Sequence, residues 1–329
     1  MHCKICSNEE DNKTHTLREM MFGTREEFTY LECGCCGTIQ LIHIPEDMSP
    51  YYPPEYYSFN KHPSELYNTP LKKFLENARI RYAVLGKGIL GKYWFQRYYD
   101  SAPESLSRVK NINKGSKILD VGCGSGIMLY QLAELGFSNL TGADPFLDED
   151  LVYDNGVTVY KKEIEELEDK FDLVMMHHAY EHVRDPQATL KTIAGKLTDA
   201  GTVLLRFPVA DSYAWKKYGK NWVQLDPPRH TYLYTKKSME LLAKRAGLEI
   251  TDVVYDSTDF QFWGSEQYQQ DISLKDAKSI VKNPNTDVFT PERREQMKRD
   301  AKKLNAEERG DQAVFYLKKS SNTSSRAEV

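Results

Sequence analysis

The strongest constraint on the fold is a glycine-rich turn that directly follows a short apolar stretch. Residues 117–126 read Lys-Ile-Leu-Asp-Val-Gly-Cys-Gly-Ser-Gly. Gly122, Gly124 and Gly126 carry no Cβ, tolerate positive φ and let the N–H groups of a following helix face a ligand. The pattern therefore predicts a buried strand, a tight turn and a helix that together hold a nucleotide-like molecule.

The spacing of these glycines argues against a dinucleotide. Dinucleotide-binding folds use G-x-G-x-x-G, whereas this turn reads G-x-G-x-G, with Asp120 two residues before the first glycine. Asp144 closes the next predicted strand about 20 residues on, where an acid binds a ribose diol in nucleotide-binding folds. A lone glycine turn could be a simple left-handed turn, but the ordered segments downstream argue against that reading.

Two further strands and a polar segment follow in order. Residues 157–160 and 171–176 are apolar enough for buried strands, and Glu-His-Val-Arg-Asp-Pro follows at 181–186. The turn at 122–126, Asp144 and these segments together resemble class I S-adenosylmethionine-dependent methyltransferases. The resemblance implies a cofactor site, which we expect to contain Asp120, Gly122, Cys123, Gly124, Gly126, Asp144, Pro145, Glu163, Ile164 and His177.

Five of the six cysteines lie in the first 36 residues, as two closely spaced groups. Each C-x-x-C turn can offer two thiolates to a tetrahedral Zn²⁺, so the spacing predicts a zinc ribbon rather than disulfides. Cys35 and Cys36 compete for the last position, and Cys36 is preferred because it keeps the two-residue gap. The predicted ligands are Cys3, Cys6, Cys33 and Cys36.

The remaining pattern completes an α/β fold with a doubly wound, seven-stranded Rossmann-like methyltransferase sheet. Helical and aromatic insertions interrupt it, and residues 66–85 read as an amphipathic helix whose apolar face, including Leu71 and Phe74, packs on the core. The predicted organisation is a ribbon at 1–45, an aromatic linker and helix at 46–104, a core at 105–319 with insertions at 208–234 and 256–310, and a disordered tail at 320–329.

The ribbon, a Tyr-Tyr-Ser segment, Pro-Pro-Arg-His and Ser-Glu-Gln-Tyr resemble bacterial zinc-ribbon methyltransferases of nucleotide-sugar and surface-polysaccharide biosynthesis. This implies a sugar or nucleotide-sugar hydroxyl as the methyl acceptor. Arg229 suits either a phosphate or a pairing with an acidic side chain, and aromatic rings in the insertions suit a sugar face. The predicted substrate-binding residues are Arg229, Trp222, Trp263 and Tyr268, with Trp215 and Phe262 as further walls.

A hydroxyl acceptor needs a base, and the candidates are histidines next to the predicted cofactor site. His230 is preferred because it follows an arginine in a proline-fixed loop; His178 and His182 compete with it, and Glu181 could orient either neighbour. Residues 178–182 also spell the H-x-x-E-H order of one zinc peptidase group, but Pro186 leaves no room for the long helix that motif needs. A variant that binds a divalent ion with these acids and histidines remains open.

Composition limits the partners. The net charge of −4 disfavours a phosphate backbone, no apolar run is long enough to span a membrane, and no signal-peptide pattern begins the chain. We therefore expect a cytoplasmic enzyme with a small-molecule partner, no membrane partner and no nucleic acid. An RNA methyltransferase and a non-catalytic cofactor-binding module are the alternatives. The acceptor's identity and the oligomeric state do not follow from the sequence.

Overall fold

The computed structural model describes residues 1–53, 63, 67–284, 286 and 288–320. Residues 54–62 and 64–66 of the predicted aromatic linker, and nearly all of the tail predicted at 320–329, lie outside these residues. Among the described residues, every helix is too short or too polar to cross a lipid bilayer.

The N-terminal segment forms a small antiparallel sheet. Its strands are β1 (Lys13–Arg18), β2 (Glu27–Glu32) and β3 (Ile39–Leu41), paired in that order. A fourth strand, Tyr232–Leu233, pairs with β3 and comes from the insertion predicted at 208–234. The N-terminal unit is therefore built into the core through that insertion rather than tethered by a linker.

A helical hairpin precedes the main sheet. Helix α1 (Pro70–Leu85) begins at Thr69, whose hydroxyl accepts the N–H of Lys72, and ends at Gly86 in the left-handed conformation. Helices α2 (Ile89–Arg97) and α3 (Ser101–Ser105) follow. The predicted apolar face of α1 is wrong at its start, because Leu71 and Phe74 are exposed; Ile80, Ala83 and Val84 are its buried residues.

The main sheet has eight strands among the described residues, one more than predicted. The elements from here on are β4 (Lys117–Val121), α4 (Ile127–Glu134), β5 (Asn139–Ala143), β6 (Leu151–Val152), β7 (Thr158–Tyr160), β8 (Phe171–His177), α5 (Pro186–Lys196), β9 (Leu197–Pro208), α6 (Tyr213–Tyr218), β10 (Tyr232–Leu233), α7 (Lys236–Arg245), β11 (Leu248–Tyr255), α8 (Phe260–Gln269), α9 (Pro291–Ala306) and β12 (Gln312–Lys319). The spatial order of the strands is β11-β12-β9-β8-β4-β5-β7-β6, with β12 antiparallel to both neighbours. The additional strand is β6, which is two residues long and lies at one edge.

The strand order reverses beside β4. The chain runs from β4 outward through β5 and β7, then crosses back to β8 and β9 on the other side. In such sheets a crevice opens at the carboxyl ends of the two strands that flank the reversal. The loops that follow β4, β5 and β8 meet there, and they carry the candidate site.

Candidate functional site

The glycine turn after β4 is as tight as its sequence indicates. Gly122, Gly124 and Gly126 have φ of 70°, 54° and 70°, a region that other residues rarely adopt. A Cβ on Gly122 would come within 2.5 Å of the Cβ of Ala179, which lies in the loop after β8. The glycine turn therefore lies directly against the segment that carries the predicted catalytic residues.

Two buried carboxylates lie beneath this turn. Asp144 accepts the backbone N–H of Gly124 at 2.8 Å and that of Phe146 at 3.0 Å. Asp120 is buried, and its Oδ1 has no hydrogen-bond partner among the described residues. Burial, reinforced by Asp144, raises the pKa of Asp120 well above its ordinary value. A ligand that brings positive charge and hydroxyl groups would stabilise both side chains as anions.

The other residues predicted to bind cofactor surround these carboxylates less uniformly. Glu163 caps a short 3₁₀ helix: its N–H donates to the carboxylate of Glu166, while Ile164 is buried behind it. Cys123 points toward β5, where a Cβ on Gly142 would meet its Sγ at 2.8 Å. Pro145 is half-buried beside Asp144.

His177 ends β8 with both ring nitrogens buried and unpaired among the described residues. Burial lowers the pKa of its imidazole to about 3. The ring is therefore neutral at physiological pH, and one nitrogen offers a donor and the other an acceptor.

Three histidines, His178, His182 and His230, lie around Glu181, which is in the loop after β8. Glu181 is fully buried, and its Oε1 lies 3.3 Å from Nδ1 of His178 and 3.8 Å from Nε2 of His230. Burial alone would raise the pKa of Glu181, but the neighbouring imidazoles, His178 first, lower it to about 2. A buried carboxylate among imidazoles can orient a ring and stabilise it when it takes up a proton.

The three rings differ in access. His178 has a side chain 30% exposed and a φ of 51°, an unusual conformation for a residue with a Cβ. His182 directs Nδ1 at the carbonyl of Arg229, 2.8 Å away. His230 directs Nδ1 at the carbonyl of Gln224 at 2.7 Å and has a side chain only 8% exposed, with Nε2 toward Glu181 and Asp226.

Ligand atoms of Glu181, His182 and His230 all lie within 4.8 Å of one another. One carboxylate and two imidazoles at that spacing could hold a divalent ion. This geometry keeps open the metal-binding variant raised by the sequence.

Comparisons with known proteins agree with this architecture. A model of the methyltransferase domain family matches residues 93–253. The ubiquinone biosynthesis O-methyltransferase of Pseudomonas aeruginosa (strain UCBPP-PA14) is 32% identical over 159 residues, which cover 43% of this chain and 67% of that enzyme. The chain belongs to the S-adenosylmethionine-dependent methyltransferase family. The matching region of the chain spans about two thirds of the length of the Pseudomonas aeruginosa enzyme.

Several other proteins are similar to this methyltransferase. The ubiquinone biosynthesis O-methyltransferase of Pseudomonas fluorescens (strain Pf0-1) is 31% identical over 159 residues, with 43% of this chain and 67% of that one covered. The methyltransferase in a complex with the Haloferax volcanii Trm112 activator has 18% identity and a TM-score of 0.44, over 74% of this chain and 97% of that one. The magnesium protoporphyrin IX methyltransferase of Synechocystis, solved with bound S-adenosylhomocysteine, has 18% identity and a TM-score of 0.36, over 58% and 82%.

The methyltransferase uses Arg229 differently from the phosphate-binding role predicted. Arg229 is fully buried and donates to Glu19 at 2.7 Å and to Asp226 at 2.5 Å. Its NH1 donates to the carbonyl of Tyr51. Because its N–H groups are used within the protein, the guanidinium pairs with acids, which was the other reading of this residue.

The aromatic substrate wall is also corrected. Trp222 has no exposed surface and donates its Nε1–H to Asp311 at 2.9 Å, so its ring belongs to the core. Tyr268 is buried. Trp263 is half-buried and packs against Phe260, with ring centroids 4.8 Å apart. Trp222 and Trp263 share one apolar cluster, and Tyr268 packs in another with Val223, so these rings cover apolar surface between the two insertions.

Sequence reasoning missed Tyr52. Its ring stacks on Phe146, two residues after Asp144, with ring centroids 6.0 Å apart, and its hydroxyl lies 3.3 Å from Nδ1 of His182. Tyr52 therefore contacts both the loop after β5 and the histidine cluster. Only its place in an aromatic, proline-rich run signalled this position, and that composition fits many structures.

The four cysteines of the predicted zinc site converge. Their sulfur atoms lie within 4.8 Å of one another, with Sγ–Sγ distances of 3.6 Å for Cys3–Cys36 and 3.5 Å for Cys6–Cys33. Backbone N–H groups of residues 5, 35 and 36 point at the sulfurs of Cys3 and Cys33. The fifth cysteine, Cys35, is exposed and lies outside the cluster.

Proposed function

We propose that this methyltransferase transfers the methyl group of S-adenosylmethionine to a hydroxyl of a small molecule. The observation that carries the proposal is the contact between the glycine turn and the loop after β8, where a Gly122 Cβ would meet Ala179 at 2.5 Å. This contact puts a cofactor bound over Asp120 and Asp144 beside the cluster of Glu181 and its histidines. A methyl donor and a proton acceptor therefore share one crevice.

The carboxylates fit the charge of the cofactor. S-adenosylmethionine brings an ammonium, a sulfonium and a ribose diol. Asp120 has a buried oxygen without a partner among the described residues, which suits a cationic group, and Asp144, which accepts the N–H of Gly124 in the turn, would accept the ribose hydroxyls. Gly122, Gly124 and Gly126 let the ligand lie against bare backbone. His177, Cys123, Pro145, Glu163 and Ile164 would complete the adenosine and methionine contacts.

We assign the general base to His178. Its Nδ1 lies 3.3 Å from Oε1 of Glu181, and no described residue is hydrogen-bonded to its Nε2, so a proton on Nδ1 would leave Nε2 to accept one. Its side chain is also more exposed than that of His230, the other ring that faces Glu181. Bound S-adenosylmethionine would supply the methyl group, which would pass to the acceptor oxygen by in-line displacement, with the electron pair of the broken carbon–sulfur bond left on sulfur. The hydroxyl proton moves to Nε2, and Glu181 stabilises the resulting imidazolium.

His230 and His182 then act as positioning groups. The Nε2 of His230, the base favoured by the sequence, faces Glu181 at 3.8 Å and Asp226 at 4.0 Å, so its lone pair points at carboxylates rather than at an acceptor. His182 is fixed by the Arg229 carbonyl and contacts His230 edge-on at 4.9 Å. Both rings lie within 4.8 Å of the Glu181 carboxylate, so they would act on it through charge rather than through a hydrogen bond.

A hydroxyl acceptor is favoured by the relatives, whose names describe them as O-methyltransferases. The finer identity, a sugar or a nucleotide-linked sugar, rests on the sequence resemblance of the ribbon and the insertion motifs. Because Arg229 is buried and paired with acids, a phosphate of such an acceptor would have to bind a different cationic side chain.

A structural Zn²⁺ held by Cys3, Cys6, Cys33 and Cys36 belongs to the same proposal. Four thiolates at this spacing form a closed tetrahedral site, which stabilises folding and leaves no open position for chemistry. Such a site also ties the ribbon to the core, because the Thr235 hydroxyl at the start of α7 donates to the Cys36 carbonyl at 2.6 Å.

The base assignment is tested by methyl transfer to nucleotide sugars under single-turnover conditions. His178→Ala should lower the rate by about 10² to 10⁴-fold and leave cofactor affinity within a few-fold, because a base acts on the transition state. His43→Ala, on an exposed residue of the N-terminal region, is the matched control and should keep the native rate. If His230→Ala stops turnover while His178→Ala does not, the base is His230.

The cluster of Glu181, His182 and His230 supports a second version of this function, in which a divalent ion helps to bind the acceptor. Extensive dialysis against a chelator, followed by metal analysis and re-addition of Mg²⁺, separates the two versions. The histidine-base version predicts full activity without a metal beyond the ribbon zinc.

A further inference from the structure

The tip of the α1–α2 hairpin exposes an apolar surface that the cofactor site and acceptor crevice do not use. Ile89 is 91% exposed and Tyr93 is 64% exposed, and Leu85 and Leu90 lie beside them with large exposed fractions. We call these four residues the hairpin tip. Exposed apolar side chains are common singly, but a cluster of four large ones at one turn marks an interaction surface.

The tip is a projection from a well-packed base. Ile80, Ala83 and Val84 on the opposite face of α1 are buried, and α2 packs so closely that a Cβ on Gly91 would come within 2.1 Å of the Ala78 carbonyl. Gly86 and Gly88 turn the chain with φ of 66° and 101°. The residues of the hairpin tip are therefore exposed to solvent, whereas the other face of α1 packs on the core.

The hairpin tip lies toward the catalytic edge of the sheet. Lys73 of α1 pairs with Glu134 at the end of α4 at 2.6 Å, and Glu76 contacts Gln131 one turn earlier on α4. Helix α1 thus runs antiparallel to α4, whose first residue follows the glycine turn. The C-terminal end of α1 therefore points toward the edge of the sheet where the glycine turn lies.

Charge distinguishes this hairpin from the rest of the protein. The range 70–97 contains seven Lys or Arg residues and one acidic residue, Glu76, in a chain of net charge −4. Arg81, Lys87 and Lys92 flank the tip and are exposed. Apolar and aromatic side chains beside lysines on a helical hairpin match the headgroup region of an anionic bilayer.

We propose that the hairpin tip docks this methyltransferase on the surface of an anionic lipid bilayer. Ile89, Leu90 and Tyr93 enter the headgroup region, and the flanking cations pair with lipid phosphates. A second copy of the chain is a poorer occupant, because two identical basic hairpins would repel each other. The expectation of no membrane partner rested on the lack of an apolar run long enough to span a bilayer, and peripheral docking needs no such run. Docking also does not depend on which acceptor is methylated.

The test is co-sedimentation of the full chain with vesicles of phosphatidylcholine alone and with about 30% phosphatidylglycerol. We expect binding to the anionic vesicles, weakened by salt. Ile89→Glu with Leu90→Glu should reduce the affinity at least about tenfold. Lys87→Gln and Lys92→Gln should each reduce it about fivefold. Val281→Glu, an exposed apolar residue outside the hairpin, is the matched control and should bind like wild type.

Circular dichroism and cofactor titration of each variant verify that fold and site are intact, as expected for substitutions at exposed positions. The proposal is overturned if wild type does not bind anionic vesicles or if the double Glu variant binds them as well as wild type does. Sedimentation velocity tests the alternative that a second copy of the chain binds the tip. If wild type is a dimer that does not bind vesicles, and the double Glu variant is a monomer, the tip is an interface between copies and the proposal is wrong.

Discussion

The substitution Asp144→Asn tests how the cofactor site works. The Asp144 carboxylate is 4% exposed, accepts two backbone N–H groups and is proposed to accept the ribose diol. An amide of the same shape removes the charge and replaces one acceptor by a donor. Loss of one charge-assisted hydrogen bond costs about 1.5 to 3 kcal/mol, so the Kd for S-adenosylmethionine should rise by roughly 10- to 150-fold.

Isothermal titration calorimetry measures this loss with S-adenosylmethionine and with S-adenosylhomocysteine. Both contain the ribose, so both should weaken equally. Glu149→Gln, on an exposed carboxylate of the same loop, is the control and should bind like wild type. A thermal melt of the ligand-free variant detects any loosening of the glycine turn. If Asp144→Asn binds both ligands within about threefold of wild type, the ribose assignment is refuted.

Three further predictions concern the framework. Metal analysis of Cys36→Ser should show loss of the single zinc expected per chain, whereas Cys35→Ser should keep it, because only Cys36 lies in the sulfur cluster. Trp222→Phe should lower the free energy of unfolding by about 2 to 4 kcal/mol, measured in urea, with cofactor affinity unchanged, since it leaves a cavity and removes the donor to Asp311. Burial would raise the pKa of Asp256, but the guanidinium of Arg206, 2.6 Å away, lowers it below its ordinary value. The pair therefore stabilises the fold at neutral pH, and this stability is lost as the pH falls through the pKa of Asp256 in the folded protein. Arg206→Gln should therefore destabilise the protein by about 3 to 5 kcal/mol at pH 7, and melts should show the difference from wild type shrinking below about pH 4.

The glycine turn, Asp144 and the cysteine pairs were predictable because each depends on spacing within one short segment. A turn that needs positive φ selects glycine, and a C-x-x-C turn brings two sulfurs together wherever it occurs. The position of Asp144 follows from the length of one helix and one strand. Such local requirements leave a trace in the sequence itself.

The roles of Arg229, Trp222 and Glu19 could not be predicted in the same way. Arg229 pairs with Glu19, which lies 210 residues earlier in the chain, and Trp222 donates to Asp311, 89 residues later. An arginine in a loop and an aromatic ring in an insertion are compatible with ligand binding or with burial. Only the partner decides between them, and the sequence gives no spacing rule for a partner that distant.

The edge strand β6 and the exposed face of α1 were missed for a related reason. Two residues at 151–152 are too short for a periodic pattern, and the pairing comes from β7. Leu71 and Phe74 follow helical periodicity, but the tertiary contacts of α1 use a face centred on Ile80 and Val84. Periodicity predicts that a helix has an apolar face, and packing decides which residues it covers.

The most direct test of the central claim is mass spectrometry of acceptors after incubation with S-adenosylmethionine and a panel of nucleotide sugars. Wild type should add one methyl group to a hydroxyl of at least one small molecule. His178→Ala should still bind the cofactor but add no methyl group in the same time. Methylation of RNA with every small molecule unmodified, or full activity in His178→Ala, would contradict it.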